Sequence, residues 1–136
     1  MLLQSRIHRI LKPLVSYRET DRGDSPDWLN DIHLQNQEVC YGLYENSPIE
    51  RSQVVVTNLG IHIHEQQWLF LPYDQIEEVR FEGEKTELDN LLVKMIDGDT
   101  IPVPIRGGRG RFRDAFEFGR FLDRVANDIR SGRYTP

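Results

Sequence analysis

The chain has 136 residues, of which 38% are hydrophobic and 29% are charged. This length fits a single domain, and the composition is typical of a globular protein and excludes a disordered or fibrous one. The net charge of -5 argues against general nucleic-acid binding, although both ends of the chain are basic and the middle is acidic. The single cysteine, Cys40, cannot form an internal disulfide, and no apolar run is long enough to cross a bilayer. A cytoplasmic location is therefore expected.

The first predicted element is an amphipathic helix that Pro13 ends near Leu11. Its apolar residues recur at spacings of three and four, at Leu3, Ile7, Ile10 and Leu14. We expect this stripe to cover the sheet that follows; the alternative is that the helix lies on an anionic membrane. After a polar connector, residues 25–27 (Ser-Pro-Asp) predict a second short helix to about Gln35. Residues 1–36 would then form an N-terminal helical extension.

Short runs of β-branched and aromatic residues, with turn residues between them, predict seven strands. The predicted strands cover residues 39–44, 54–56, 61–64, 68–71, 76–81, 91–96 and 100–105. Residues 68–71 (Trp-Leu-Phe-Leu) are apolar on both faces, so this strand is expected to be buried on both sides. Asp97-Gly98 predicts a hairpin turn, and Pro102 and Pro104 indicate that the last strand lies at a sheet edge.

A final amphipathic helix is predicted over residues 112–130. Seven antiparallel strands followed by one helix is the plan of the pleckstrin-homology (PH) superfold. Residues 56–61 (VTNLGI) and, after Trp68, residues 71–79 (LPYDQIEEV) resemble the short motifs of bacterial PH-like and GRAM-like domains. This resemblance implies an α+β, mainly β fold. Residues 37–136 would form a bent seven-stranded sheet or partly open barrel with the C-terminal helix at one end.

Four arginines lie among glycines between the last predicted strand and this helix: Arg106, Arg109, Arg111 and Arg113. Such a loop beside a helix N-terminus is typical of sites that bind phosphate or carboxylate, and similar sequences occur in RNA-binding segments. The alternative is a solvated turn whose arginines pair with the acidic middle of the chain. In phosphoinositide-binding PH domains the basic residues lie chiefly between the first two strands. Here that loop, residues 45–52, has Arg51 as its only cation.

No pattern of reactive residues predicts an enzyme. His62 and His64 share one strand face, but two ligands make a weak metal site, so we predict no metal. Cys40 is expected to be a buried, inert thiol. The sequence contains no phosphate-binding loop, nucleophile elbow or zinc motif, and no cofactor is predicted.

Apolar residues on both faces of several strands indicate that something covers the second face, either the N-terminal helices or a second subunit. Trp68, Phe70 and Tyr73 are the candidate interface residues, because Trp and Tyr often anchor interfaces. We therefore predict a non-catalytic interaction module that binds a protein partner or itself. The alternative is an anionic ligand or lipid headgroup bound by residues 106–113, at the inner face of a membrane, with RNA less favoured.

Overall fold

The structure, a computed structural model, describes residues 3–20, 32, 34–46, 52–81, 91–106 and 111–136. A helical turn, α1 (Leu3–Arg6), begins this part of the chain and continues as a π-helical turn over Ile7–Leu11. The described strands are β1 (Tyr17–Glu19), β2 (Cys40–Glu45), β3 (Gln53–Thr57), β4 (Gly60–His64), β5 (Trp68–Pro72), β6 (Ile76–Phe81), β7 (Leu91–Met95) and β8 (Thr100–Val103). A 3₁₀ turn, Tyr73–Gln75, joins β5 to β6, and the last element is the helix α2 (Arg111–Arg130).

The strands form two antiparallel sheets in chain order. One sheet contains β1 to β5, and the other contains β6 to β8. Within each sheet every strand pairs with its neighbour in sequence, as short connections favour. Within the described ranges neither sheet closes into a barrel, because β1 and β5 end the first sheet and β6 and β8 end the second. The predicted α+β, mainly β class is confirmed.

All seven predicted strands are present, and β1 is an additional strand that the sequence analysis missed. β1 has three residues, of which only Tyr17 is buried, so it has no alternating apolar pattern to detect. Its register places Tyr17 opposite Tyr44, a residue distant in the chain, which no local pattern indicates. Residues 17–19 therefore belong to the first sheet and not to a helical extension.

The predicted hairpin and edge strand are confirmed. Gly98 has a φ of +99°, a left-handed conformation that favours glycine, and Gly98 N donates to Met95 O at 3.0 Å. β8, which contains Pro102, pairs with β7 alone in the described part of the chain. The predicted helix after Ser25 lies mostly outside the described residues, although Gln35, at its expected end, is not helical.

The helix α2 turns one apolar stripe towards the sheets, as predicted. Its buried apolar residues are Ala115, Phe118, Phe121, Leu122, Val125 and Ala126. Phe118 meets the ring of Tyr44 edge-on at 6.0 Å, and Phe121 meets Tyr73 at 6.1 Å. Tyr44 Oη donates to Asp114 Oδ2 at 2.5 Å, and burial raises the pKa of Asp114 in spite of this bond. α2 is thus fixed both to β2 and to the turn after β5.

The N-terminal helical segment packs mainly against α2, whereas we expected it to cover the strand at residues 68–71. Its buried apolar residues are Leu3, Ile7, Ile10, Leu11 and Leu14. Arg6 fixes the contact, since Nε and Nη2 each lie 3.0 Å from a carboxylate oxygen of Asp128. The apolar stripe is buried inside the chain and is not presented to a membrane in this structure. No described helix is both long enough and apolar enough to cross a bilayer.

The prediction that the strand at residues 68–71 is buried on both faces is wrong. Leu71 is fully buried, but Leu69 is 46% exposed, and Trp68 and Phe70 are partly exposed. β5 ends its sheet and pairs with β4 alone in the described part of the chain. An apolar run by itself does not distinguish an end strand from a central one.

Asn46 joins the two sheets at the end of β2. Asn46 Nδ2 donates to Ser52 O at 3.2 Å and to Pro104 O at 2.7 Å. Asn46 Oδ1 accepts a hydrogen bond from Arg106 N at 2.5 Å. Because Ser52 precedes β3 and Pro104 follows β8, this one amide links a hairpin of the first sheet to the end of the second.

Candidate functional site

The arginine-rich segment before α2 is described only in part. Arg106 Nη2 lies 3.2 Å from Glu65 Oε1, an exposed ion pair with the acidic middle of the chain. Arg113 is exposed in the first turn of α2. The side chain of Arg111 and the whole of Arg109 lie outside the described residues. Pairing within the chain is therefore found for Arg106, and anion binding by the four arginines stays a prediction.

Trp68 and Phe70 are partly exposed on β5, and each stacks on a histidine of β4. The ring of Phe70 lies 4.6 Å from that of His62, and the ring of Trp68 lies 4.2 Å from that of His64. His64 is itself held, because its Nδ1 lies 3.1 Å from Gln53 Oε1. The two predicted interface aromatics thus cover buried polar groups of their own sheet.

His62 and His64 are both buried, and His62 belongs to a hydrogen-bonded network around Glu38. Glu38 Oε2 lies 2.8 Å from His62 Nε2 and accepts from Thr57 Oγ1 at 2.6 Å. Glu38 Oε1 accepts from Gln35 N at 2.9 Å. Burial alone would raise the pKa of Glu38, but these hydrogen bonds outweigh it and hold the pKa below its ordinary value. The network ties the segment before β2 to the β3–β4 hairpin.

The motif residues that resemble PH-like domains have structural roles. Thr57 Oγ1 accepts from Gly60 N at 3.2 Å, and Asn58 Oδ1 accepts from Val39 N at 2.7 Å. A Cβ at Gly60 would lie 2.3 Å from a main-chain oxygen of β5, so only glycine fits. Tyr73 is buried, and its Oη donates to Thr57 O at 2.8 Å. Tyr73, predicted as an interface residue, therefore belongs to the core and is not accessible to a partner.

Cys40, which the sequence predicted to be buried, is only half-buried. Cys40 Sγ lies 3.2 Å from Thr20 Oγ1, and burial raises the pKa of the thiol, which disfavours the reactive thiolate. Among the residues that the structure describes, no three His, Cys, Asp or Glu side chains are grouped so as to hold a metal ion.

A groove of about 280 Å³ opens between β6 and α2. The residues that line it are Val79, Phe81, Phe116, Gly119, Arg120 and Asp123. Val79 and Phe81 lie two residues apart on one face of β6, and Phe116 and Gly119 lie one helical turn apart on α2. Phe81 is 39% exposed and Phe116 is 44% exposed, and their rings stack at 5.8 Å. The groove therefore has an apolar floor with an aromatic pair at one end.

Gly119 lies in close contact with β6 and β7. A Cβ at this position would lie 2.9 Å from Leu91 Cδ1 and 3.0 Å from Phe81 Cζ, so the Leu91 side chain would have to move and the Phe81 ring would have to shift slightly. Glycine within a helix costs about 1 kcal/mol relative to alanine. The close approach of Phe81 and Leu91 to the helix accounts for a glycine here.

β6 borders the groove and pairs with β7 alone among the described residues. Arg130 Nη2 donates to Ile76 O at 2.6 Å and to Glu77 O at 2.7 Å, so the start of this edge is covered. From Glu78 to Phe81, the described backbone hydrogen bonds go only to β7. A strand edge that has no partner strand among the described residues, beside an apolar groove, is the geometry that accepts an extended peptide as an additional strand.

Among the described residues near the groove, two arginines pair with glutamates and Asp123 accepts a hydrogen bond from an amide. Arg80 Nη2 lies 2.8 Å from Glu78 Oε2, and Arg120 Nη2 lies 2.7 Å from Glu117 Oε2. Asn127 Nδ2 donates to Asp123 Oδ2 at 3.4 Å. The rim is therefore polar without a strong excess of one sign, and an apolar side chain is the group that the groove suits best.

Sequence analysis did not find this groove. It assigned Phe81 to a strand and did not single out Phe116, which lies off the apolar stripe of α2. One signal was available, since an aromatic residue outside the core stripe of an amphipathic helix is often exposed. No pattern indicated that Phe81 would stack on it.

Comparisons of the chain with protein-family models, with curated proteins and with solved structures give no significant match.

Proposed function

We propose that this chain is a non-catalytic interaction module that binds an extended peptide segment of another protein between β6 and α2. The observation that carries this proposal is the partly exposed Phe81–Phe116 pair beside residues 78–81 of β6, whose outer edge pairs with no strand that the structure describes. The peptide would add an antiparallel strand to β6, and one apolar side chain would enter the groove between Phe116 and Gly119.

The strand order supports a PH-like architecture for this module. If β1 is set aside, β2 to β5 are four strands of one sheet, β6 to β8 are three strands of a second, and α2 follows. This is the order of the PH superfold named above. The motif residues Thr57, Gly60 and Tyr73 maintain the β3–β4–β5 connections, so the resemblance supports the fold and leaves the ligand to be argued from the groove.

The size of the groove favours a peptide over a globular partner or a second copy of this chain. Stable interfaces bury about 1,600 Å² in total. A groove of about 280 Å³ with two exposed aromatic rings offers only a small apolar area. A peptide can compensate for this small area with main-chain hydrogen bonds to β6, which a folded surface seldom supplies.

The ionisable groups of the described residues support a binding role and not a catalytic one. Three of them are buried and hydrogen-bonded to other residues of the chain, namely Glu38, His62 and Asp114. Burial also raises the pKa of Cys40. None of them faces the groove between β6 and α2.

A displayed library of short random peptides, selected on the purified chain, tests this function. We expect enriched peptides that share one apolar residue and that shift the backbone amide NMR signals of residues 78–81. Phe116→Lys should weaken their binding by about tenfold or more, because it removes the aromatic wall of the groove. Gly119→Ala should weaken it less, because the Leu91 and Phe81 side chains beside the groove must shift to admit the added methyl group.

Leu69→Lys and Ile96→Lys are the matched controls, because these apolar side chains are 46% and 59% exposed and lie outside the groove. Both should bind the selected peptides like the wild type. If Leu69→Lys and not Phe116→Lys abolishes binding, the site is on β5 and the proposal fails. It also fails if no peptide is enriched, or if the chain forms a dimer that Phe116→Lys dissociates.

A further inference from the structure

A second depression, of about 540 Å³, lies at the C-terminal end of α2, away from the groove beside Phe116. The residues that line it are Arg6, Arg124, Asn127, Asp128, Arg130, Ser131 and Arg133. Four arginines thus line one open depression, and Asp128 is the single acidic residue in its described lining. In a chain with a net charge of -5, this is a local concentration of positive charge.

Two of these arginines are held in place by the fold. Arg6 forms a bidentate pair with the buried carboxylate of Asp128, which leaves Nη1 for another acceptor. Arg130 Nη2 is fixed by two carbonyl groups of β6, and its Nη1 donates to Asn127 Oδ1 at 3.1 Å. Because these side chains are already ordered, a ligand would lose little conformational entropy in binding them.

The cluster does more than compensate the helix dipole. Arginines near a helix C-terminus are often explained by the negative end of the dipole. Here the last carbonyl groups already have partners, since Ser131 N, Gly132 N and Arg133 N donate to Asn127 O, Ile129 O and Asp128 O. Gly132, with a φ of +71°, makes this turn possible. The guanidinium of Arg130 points to β6 and not to the carbonyls of its own helix.

We propose that this arginine cavity binds a phosphate-bearing anion. A carboxylate has two oxygens, and one guanidinium fork can bind both of them. A phosphate group has three or four acceptor oxygens and can bridge guanidinium groups that approach from different elements, here the N-terminal helical segment and the end of α2. Arg124 and Arg133, both exposed at the mouth, would make the first contacts.

Isothermal titration calorimetry with pyrophosphate, at constant ionic strength and with malonate as the dicarboxylate comparison, tests the proposal. The wild type should bind pyrophosphate and not malonate. Arg124→Gln/Arg133→Gln should weaken this binding by about tenfold or more, because the loss of one charged hydrogen bond lowers an affinity by about this factor. Neither arginine takes part in the Arg6–Asp128 pair or in the contacts of Arg130 to β6, and thermal unfolding of the variant checks that it remains folded.

Arg18→Gln/Arg80→Gln is the matched control, with the same change in net charge at two arginines on the strands β1 and β6. It should bind pyrophosphate like the wild type. Equal losses in the two variants would show a general charge effect, and absence of pyrophosphate binding would remove the site; either result overturns the proposal.

Vesicles of phosphatidylcholine with and without phosphatidic acid then distinguish the source of the phosphate. Arginine-dependent binding to phosphatidic acid indicates a lipid headgroup, and binding to pyrophosphate alone indicates a soluble ligand.

Discussion

The strands β5 and β6 follow each other in the chain and both end a sheet, but their aromatic side chains have different environments. On β5, Trp68 and Phe70 stack on His64 and His62, whose polar atoms are hydrogen-bonded inside the sheet. On β6, Phe81 stacks on an exposed phenylalanine of α2 and borders an open groove. The aromatic residues of β5 are thus fixed over hydrogen-bonded histidines of their own sheet, whereas the Phe81–Phe116 pair borders an open groove, and this groove is the difference that favours β6 as a binding surface.

The largest expected effect is on the β5 side, where Glu38 supports the histidine beneath Phe70. Glu38→Ala leaves the hydrogen-bonding groups of Thr57, His62 and Gln35 without their buried acceptor. We expect a loss of about 3 kcal/mol in the free energy of unfolding, measured by urea denaturation. Glu78→Ala, which removes an exposed carboxylate paired with Arg80, should change the stability little. Equal effects of the two substitutions would show that the network around Glu38 does not stabilise the fold.

Replacing one aromatic residue at each edge sharpens the comparison. Trp68→Ala should destabilise the fold by about 1–2 kcal/mol, because it uncovers His64. Phe116→Ala should cost less than about 1 kcal/mol, because Phe116 is 44% exposed and covers no buried polar group that the structure describes. Thermal unfolding of the two variants gives the order. If Phe116→Ala is the more destabilising, the Phe81–Phe116 pair is part of the core and not a docking surface.

The smallest expected effect is on the pH dependence of the free energy of unfolding, which should differ in sign between the buried carboxyl groups of Glu38 and Asp114. The folded-state pKa of Glu38 lies below its ordinary value of 4.5, so its contribution to stability is full above that pH and is lost as the pH falls through the folded-state pKa. The stability difference between wild type and Glu38→Gln should therefore shrink from neutral pH to about pH 3. His62 and Cys40 are the ionisable neighbours of Glu38, and both are unchanged in this variant.

Asp114 should show the opposite slope. Burial raises its pKa above the ordinary value of 3.8. Its contribution to stability is therefore full below that pH and is lost as the pH rises through the folded-state pKa. Asp114→Asn should remove this loss, and urea denaturation over the same pH range measures it. A parallel slope in wild type and Asp114→Asn would contradict the assignment.

Local sequence patterns predicted most of the fold because most of its elements are local. The hairpin at Asp97-Gly98, the edge character of β8 and the buried stripe of α2 each follow from residues close together in sequence. β1 was missed because Tyr17 finds its partner, Tyr44, far along the chain. The apolar stripe of the N-terminal segment showed that it had to pack on something, but it could not show that the partner was α2.

The candidate sites were harder to predict, because each combines distant residues. Phe81 and Phe116 form one surface only after α2 lies along β6, and Arg6 joins Arg130 only after the N-terminal segment docks on α2. The alternation around His62 and His64 correctly indicated a strand. It did not show that Glu38 and Gln53 would make this polar face a buried one.

The side chain of Asn46 has a consequence for how the molecule can open. Its amide spans the corner between the two sheets, so separation of β8 from the body of the protein must break the bonds to Pro104 O and Arg106 N together with the β7–β8 ladder. Local unfolding at this corner is therefore coupled across both sheets, whereas residues 78–81 of β6 have no such clamp among the described contacts. Hydrogen exchange at the Arg106 amide would report that coupled opening. Local unfolding of lower free energy is expected on the side of β6 and α2.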